Sequence, residues 1–285
     1  MVRSLIGVVK LKPQDIAFGR TQYVSNCISR KRVLEDHDGL EAHEFQPFRS
    51  FKLSAMAAPT QIVEGLWQIS LGAVNAFLID DGELTLIDTG LPKSDDKIVA
   101  AIESTGKNVS DLKHIVVTHC HPDHAGSVAA LKRRSGARVY MHPVDAAMVR
   151  KGETTRPMSP APGLLRGLMY RMFIPKQPTP IEPCVIDHEI NDGTELPIAG
   201  GLKAIHIPGQ CAGQVALLWA RRRVLFAADA CASMPNLGYA LCYEDLEEGK
   251  RSLRKLAALD FDAAVFGHGG PIKSGAAQRF RQRFQ

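Results

Sequence analysis

Thr118-His119-Cys120-His121-Pro122-Asp123-His124-Ala125-Gly126 is the most informative stretch of this chain. It follows His114 to Thr118, a compact apolar run with two adjacent valines that reads as a buried strand. Ala125 to Arg134 comes next, with Val128 and Leu131 on one face and Lys132, Arg133 and Arg134 on the other. That pattern predicts a helix ending at Gly136. Three His and one Asp therefore lie within six residues at a strand-to-helix turn. Imidazoles and carboxylates at this density are ligands for divalent transition metals, and such a turn can fan alternate side chains toward two adjacent points.

Working outward, Ile62, Leu66 to Ile69, Val74 to Ile79 and Leu84 to Ile87 read as short strands, with Gly72 and the hairpin signal Asp81-Gly82 between them. Ser94 opens an amphipathic helix that stops at Gly106. Arg138 to Met141 is a further strand. From Gly152 to Pro183 seven prolines forbid regular structure except for a short helix over Leu164 to Phe173. A segment of this length and irregularity reads as a lid. Its Met158, Leu164, Leu165, Leu168, Met169, Met172 and Phe173 offer an apolar lining beneath such a lid, or else a packing face.

Strands return at Val185 to Ile190, Leu202 to Ile207, Val215 to Ala220, Val224 to Ala228 and Ala263 to Phe266, with helices over Glu244 to Leu259 and from Ser274. Two similar halves of alternating strands and helices predict an α/β sandwich with sheets inside and helices outside. Two more candidate ligands, Asp229 and His268, stand at strand ends among small residues.

The composition bounds the function. The chain has 285 residues, 45% of them hydrophobic, and a net charge of +5, the balance of an ordinary globular protein. Its basic clusters, Arg30-Lys31-Arg32 and Arg221-Arg222-Arg223, are short and lack interleaved aromatics, so no nucleic-acid partner is expected. No run approaches the roughly 18 apolar residues of a membrane span, so no membrane partner is expected either. Six scattered cysteines without a C-x-x-C pair fit a reducing compartment, and the chain reads as cytoplasmic. There is no Gly-x-Ser-x-Gly elbow and no phosphate loop, leaving a serine nucleophile or nucleotide chemistry without a carrier.

His-x-His-x-Asp-His at 119 to 124, Ile87-Asp88-Thr89-Gly90 upstream, and Pro208-Gly209 with Gly213, Asp229 and Gly267-His268-Gly269 downstream together resemble the metallo-beta-lactamase superfamily of hydrolases. The resemblance runs from about Pro59 onward. It implies an αββα four-layer sandwich with a site for one or two metal ions, usually zinc, at one edge of the sheets; iron or manganese stays open. Carried over residue by residue, it implies His119 and His121 on a first metal, Asp123, His124 and His268 on a second, and Asp229 bridging both. Where the family usually has a third imidazole on the first metal, this chain has Gln210, an amide whose oxygen is the weaker zinc ligand, so that site is expected to bind less tightly. His206, four residues away, reads as supporting or structural, and Cys120 and Cys231 as small buried thiols pointing away from the metals.

The activity implied is hydrolysis of an ester, lactone, thioester or amide carbonyl of a small molecule by a metal-bound hydroxide, with Asp123 as the catalytic residue that orients it or takes its proton. The alternative is a metal-poor member that binds a small molecule or partner without catalysis. No helical domain of the glyoxalase II kind, no inserted nuclease domain and no flavin domain is expected. Residues 1–58 show no sustained period and are expected to form a poorly structured extension before a hydrolase domain over 59–285, with Met56-Ala57-Ala58-Pro59 reading as a true start.

Overall fold

The computed structural model describes residues 58–285; the extension expected over 1–58 lies, but for its last residue, outside them. Strands β1 (Thr60–Val63), β2 (Leu66–Ser70), β3 (Asn75–Asp81) and β4 (Glu83–Ile87) form an antiparallel meander. Asp81 pairs with Glu83 around Gly82, whose φ of +95° is the conformation the Asp-Gly turn demands. Helix α1 (Asp95–Ser104) leads to β5 (Leu112–Val116), then α2 (Pro122–Ala125), α3 (Val128–Ser135), β6 (Arg138–Met141) and α4 (Pro143–Val149). The proline-rich segment holds β7 (Ser159–Pro160) and α5 (Leu164–Phe173). Next come β8 (His188–Glu189), β9 (Glu195–Leu196), β10 (Leu202–His206), β11 (Val215–Trp219) and β12 (Val224–Phe226). The short strands β13 (Cys231–Ser233), β14 (Leu237–Tyr239) and β15 (Cys242–Tyr243) precede α6 (Leu246–Ala257), β16 (Ala263–Val265) and α7 (Ala276–Phe284).

Two sheets carry the fold, one in the order β1-β2-β3-β4-β5-β6-β8 and one in the order β16-β12-β11-β10-β9. Alternation along the strands divides the core into three layers. On β3 and β4, Leu78 and Leu86 turn outward to Ile98, Ile102 and Leu131 of α1 and α3, while Phe77, Ile79 and Ile87 turn inward to Leu217, Trp219 and Phe226 of the second sheet. The second sheet's other face packs Ile205 and Leu225 against Leu253, Leu256 and Phe280 of α6 and α7. Both faces of both sheets are covered, which explains why these strands read as nearly continuous apolar runs. Three buried interfaces between helix, sheet, sheet and helix make the αββα sandwich that the sequence predicts.

Some elements depart from expectation, each for a local reason. The helix expected over 125–134 breaks into α2 and α3 at Gly126-Ser127. A Cβ at Gly126 would lie 2.3 Å from the Pro122 carbonyl oxygen and 2.4 Å from Pro92 N, and Ser127 Oγ donates to the Leu91 carbonyl at 2.6 Å. The chain is pinned there to the 91–94 loop, which leaves α2 free to aim its own side chains. The strand expected over 185–190 shrinks to β8 because Asp187 takes the place of a ladder partner, its carboxylate accepting from Val139 N at 2.7 Å and from Lys132 Nζ at 2.6 Å. Helix α4 went unread in the sequence; His142 caps it and Pro143 occupies its first turn.

Burial pushes the Asp187 carboxyl up, but Lys132 and the Val139 amide outweigh it and hold the carboxyl below its ordinary range. A carboxyl depressed on folding stabilises above its unfolded pKa of about 3.9 and ceases to do so as pH falls through the folded value. Asp187→Asn is therefore expected to cost about 1 kcal/mol at neutral pH, screening at this partly exposed pair keeping it small. Urea unfolding should show the gap to the parent closing as the pH is lowered past the unfolded value and through the depressed folded one.

Candidate metal centre

Every sequence-predicted ligand comes from the loop or short helical turn that follows a strand, at one edge of the sandwich. The loop after β5 delivers His119 and His121, and α2, opened by Pro122, presents Asp123 and His124 in a single turn. Gln210 lies in the loop between β10 and β11, Asp229 follows β12, and His268 follows β16.

The structure brings all seven together in a continuous chain of contacts. His119 Nε2 lies 3.1 Å from His121 Nδ1, and Gln210 Nε2 lies 3.1 Å from the same His121 nitrogen. The His119 and His124 rings are 4.1 Å apart. His124 Nε2 is 3.4 Å from Asp229 Oδ2 and 3.8 Å from Asp123 Oδ2, and His268 Nε2 reaches the same two oxygens at 3.0 and 3.3 Å. Possible ligand atoms of His119, His124 and Asp229 lie within 4.8 Å of one another, as do those of Asp123, His124 and His268. The two groups share His124.

The electrostatics follow from packing acids and imidazoles in a dry space. Burial alone would raise the Asp229 carboxyl, but His268 and His124 hold it well below the ordinary range; Asp123 is likewise held down, against burial, by His124 and His268. Burial would lower His124 and His268, yet the carboxylates, Asp229 foremost, push both well above the usual imidazole value. His119, by contrast, is driven well down by burial and then by His124 and His121.

Four buried polar atoms here have no hydrogen-bond partner: His121 Nε2, His124 Nε2, Gln210 Oε1 and Asp229 Oδ1. Orphaned buried atoms are costly and rare, and a set drawn from imidazole, carboxylate and amide groups converging on one space is what a divalent cation satisfies. The residues present fit such an ion.

Several residues support this arrangement in roles that the sequence reading did not give them. Asp88, at a φ of +61°, accepts from Thr118 N at 2.7 Å, Thr118 Oγ1 at 2.9 Å and His124 Nδ1 at 2.9 Å. Its bond to His124 fixes the tautomer that leaves Nε2 facing Asp229. His268 Nδ1 donates to the Ala73 carbonyl at 2.7 Å, which orients its ring the same way. Asn75 clamps the loop beyond β16, its Nδ2 donating to the Phe266 and Gly269 carbonyls at 3.1 and 2.9 Å and its backbone N to Gly267 O at 2.8 Å. Asp145, fully buried, accepts from Cys120 N and Gly213 N at 3.0 Å each and pairs with Arg156 at 2.9 Å. Asp88 was legible as part of the Ile87-Asp88-Thr89-Gly90 motif, with no role attached to its side chain; Asp145 gave no signal, because its partners are distant in sequence.

His206 is structural, as expected: its Nε2 donates to the Ala212 carbonyl at 2.8 Å and its ring stacks on His142 at 4.1 Å. Cys120 and Cys231 are buried thiols, Cys120 turning to Cys211 at 3.6 Å. The apolar lining expected of the 152–183 segment needs correction, Met158 apart. A cleft of about 360 Å³ runs from Pro122 along Met158, Tyr170 and Ile174, but Leu164, Leu165, Leu168, Met172 and Phe173 neither line it nor pack inward. They face outward because Tyr170 anchors the opposite side of α5, its hydroxyl donating to the Met158 carbonyl at 2.9 Å.

Comparison with known proteins agrees with the geometry. Residues 69–268 match the family model of the metallo-beta-lactamase superfamily. The chain is 30% identical over 237 residues to the uncharacterized protein YobT of Bacillus subtilis, covering 77% of this chain and 94% of that one. It is 24% identical to "Probable metallo-hydrolase YflN" of the same organism, covering 79% and 92%. Among solved structures, the metallo-beta-lactamase family protein TTHA1429 of Thermus thermophilus superposes with a TM-score of 0.58 at 26% identity, covering 78% of this chain and 79% of that one. A seven-residue cluster at one edge of an αββα sandwich, with a family match spanning nearly all of it, leads to one conclusion: the chain belongs to the metallo-beta-lactamase superfamily.

Proposed function

We propose that this chain is a metal-dependent hydrolase acting on the carbonyl of a small-molecule ester, lactone, thioester or amide, with one or two zinc ions as the cofactor. The observation that carries the reading is the set of unpartnered buried atoms on His121, His124, Gln210 and Asp229. His119, His121 and Gln210 would hold one ion and Asp123, His124 and His268 the other, with Asp229 between them. Bound there, a divalent ion supplies an acidified water and a Lewis acid for the carbonyl.

The chain's own residues do the rest. Asp123 and His268 are about a quarter exposed, whereas His119 and His124 are fully covered, so the carbonyl is met on the Asp123 side. The Asp123 carboxylate, kept ionised by His124 and His268, accepts a hydrogen bond from the attacking water at Oδ2 and so orients it toward the carbonyl. Asp88 and Ala73 O fix the two imidazoles that border it. The described cysteines are free and buried, which supports a reducing compartment, the cytoplasm.

Gln210 favours one other reading, a metal-poor binding protein. Metal analysis of the purified chain beside Gln210→His separates the two. Imidazole in place of the amide is expected to tighten the weaker ion about tenfold and raise metal content and hydrolysis together. Full occupancy in the parent would make Gln210 a competent ligand, and no metal in either protein would leave the binding reading standing.

A further inference from the structure

Helix α5 carries an apolar face that the described residues leave open. Leu164, Leu165, Leu168, Met172 and Phe173 are 95%, 69%, 57%, 64% and 63% exposed. At about 100° per residue they span an arc of about 180°, and Arg171 and Arg166 fall at its two edges. Lys176 follows just beyond the helix, also exposed. Between Thr154 and Ile181 there is no Asp or Glu, so these cations have no acidic neighbour within the segment; Arg166 donates instead to the Pro162 carbonyl at 3.2 Å.

An apolar face edged by cations has few good partners. A second copy meeting it about a two-fold axis would bury the leucines but set Arg166, Arg171 and Lys176 against their own images, and like charges so opposed are costly. An anionic lipid surface accepts both parts, the apolar side chains entering the acyl boundary and the cations meeting the headgroups. We infer that α5 docks this chain on an anionic lipid surface. The cleft that reaches Pro122 shares Tyr170, Ile174 and Lys176 with the docking segment, so the candidate centre opens beside the bilayer. No helix among the described residues is long and apolar enough to cross a membrane, and an interfacial helix does not need to be. The inference thus departs from the expectation of no membrane partner, which rested on spanning length alone.

Co-sedimentation of the full chain with phosphatidylcholine vesicles, with and without a phosphatidylglycerol fraction, tests this directly. Binding to the anionic vesicles is expected to exceed that to neutral ones by about tenfold or more and to weaken with added salt. The double variants Leu168→Ser/Met172→Ser and Arg171→Glu/Lys176→Glu should each lose at least about tenfold. All four positions are exposed, so unchanged circular dichroism and melting will accompany the loss. Equal affinity for both vesicles, no affinity for either, or variants that bind like the parent would overturn the inference. So would a parent dimer in light scattering that Leu168→Ser/Met172→Ser disperses, since the face would then belong to a second copy. The readout is binding alone, so its failure leaves the hydrolase reading untouched.

Discussion

Asp229→Ala is expected to remove most of the bound metal and to lower hydrolysis by more than about 10²-fold. Removing residues that merely orient a ligand already costs 10- to 100-fold in metal affinity, and Asp229 stands between both halves of the centre. It is 5% exposed, faces His124 at 3.4 Å and His268 at 3.0 Å, and has one oxygen with no partner at all. Gly267→Ala should approach the same loss without touching a ligand. A Cβ at Gly267 would lie 2.1 Å from Asp229 Oδ1 and 2.6 Å from His124 Cε1, and the Asn75 bond to Gly267 O resists any retreat of that backbone. A displacement near 1 Å in such a site costs about 10²-fold. Metal per chain by mass spectrometry and initial hydrolysis rates check both variants; parent-like metal content and rate in Asp229→Ala would refute the assignment.

The largest loss of stability is expected from Asp145→Ala, about 3–5 kcal/mol. This carboxylate is wholly buried, and besides its two backbone donors and Arg156 it accepts from Cys211 Sγ at 3.0 Å. Its removal strands the amides of Cys120 and Gly213 in a dry interior and leaves Arg156 with Glu244, at 3.3 Å, as its one carboxylate partner among the described residues. For a domain of this size the melting temperature should fall by about 10 °C or more. Asp145→Asn, which keeps one acceptor, should lose less. Because Cys120 adjoins two candidate ligands and Gly213 closes the loop that holds Gln210, metal affinity should fall together with stability. A melting temperature within a degree or two of the parent would show that water or rearrangement replaces these bonds.

How far the sequence could be read depended on the range of the interaction. The cluster at 119 to 124 was legible because a strand-to-helix turn concentrates it within one turn of chain, and α5 was found at its observed limits because prolines bound it on both sides. Asp229 and His268 were legible as strand-end residues among small neighbours, but each alone looks like a cap or a turn residue, and only the cluster at 119 to 124 and the family pattern gave them a role. Asp145 and Asn75 were silent: a buried acid and a buried amide have no sequence signature until the loops they tie meet in space. The outward turn of α5 was hidden for a related reason. The prolines gave the correct helix, but its apolar residues do not by themselves say whether their face meets a core, a ligand or nothing.

The Asn75 clamp also has a bearing on time. It joins β3 to the loop beyond β16, nearly 200 residues later, and His268 sits inside that same loop. Contacts so far apart along the chain form late, after the entropy of closing long loops has been overcome. Before then an arriving ion meets only His119, His121, Asp123 and His124 on one short loop, an open and incomplete grip. Metal capture should therefore follow folding rather than guide it. Refolding rates should be the same with zinc as with chelator, while unfolding alone slows in the presence of the ion.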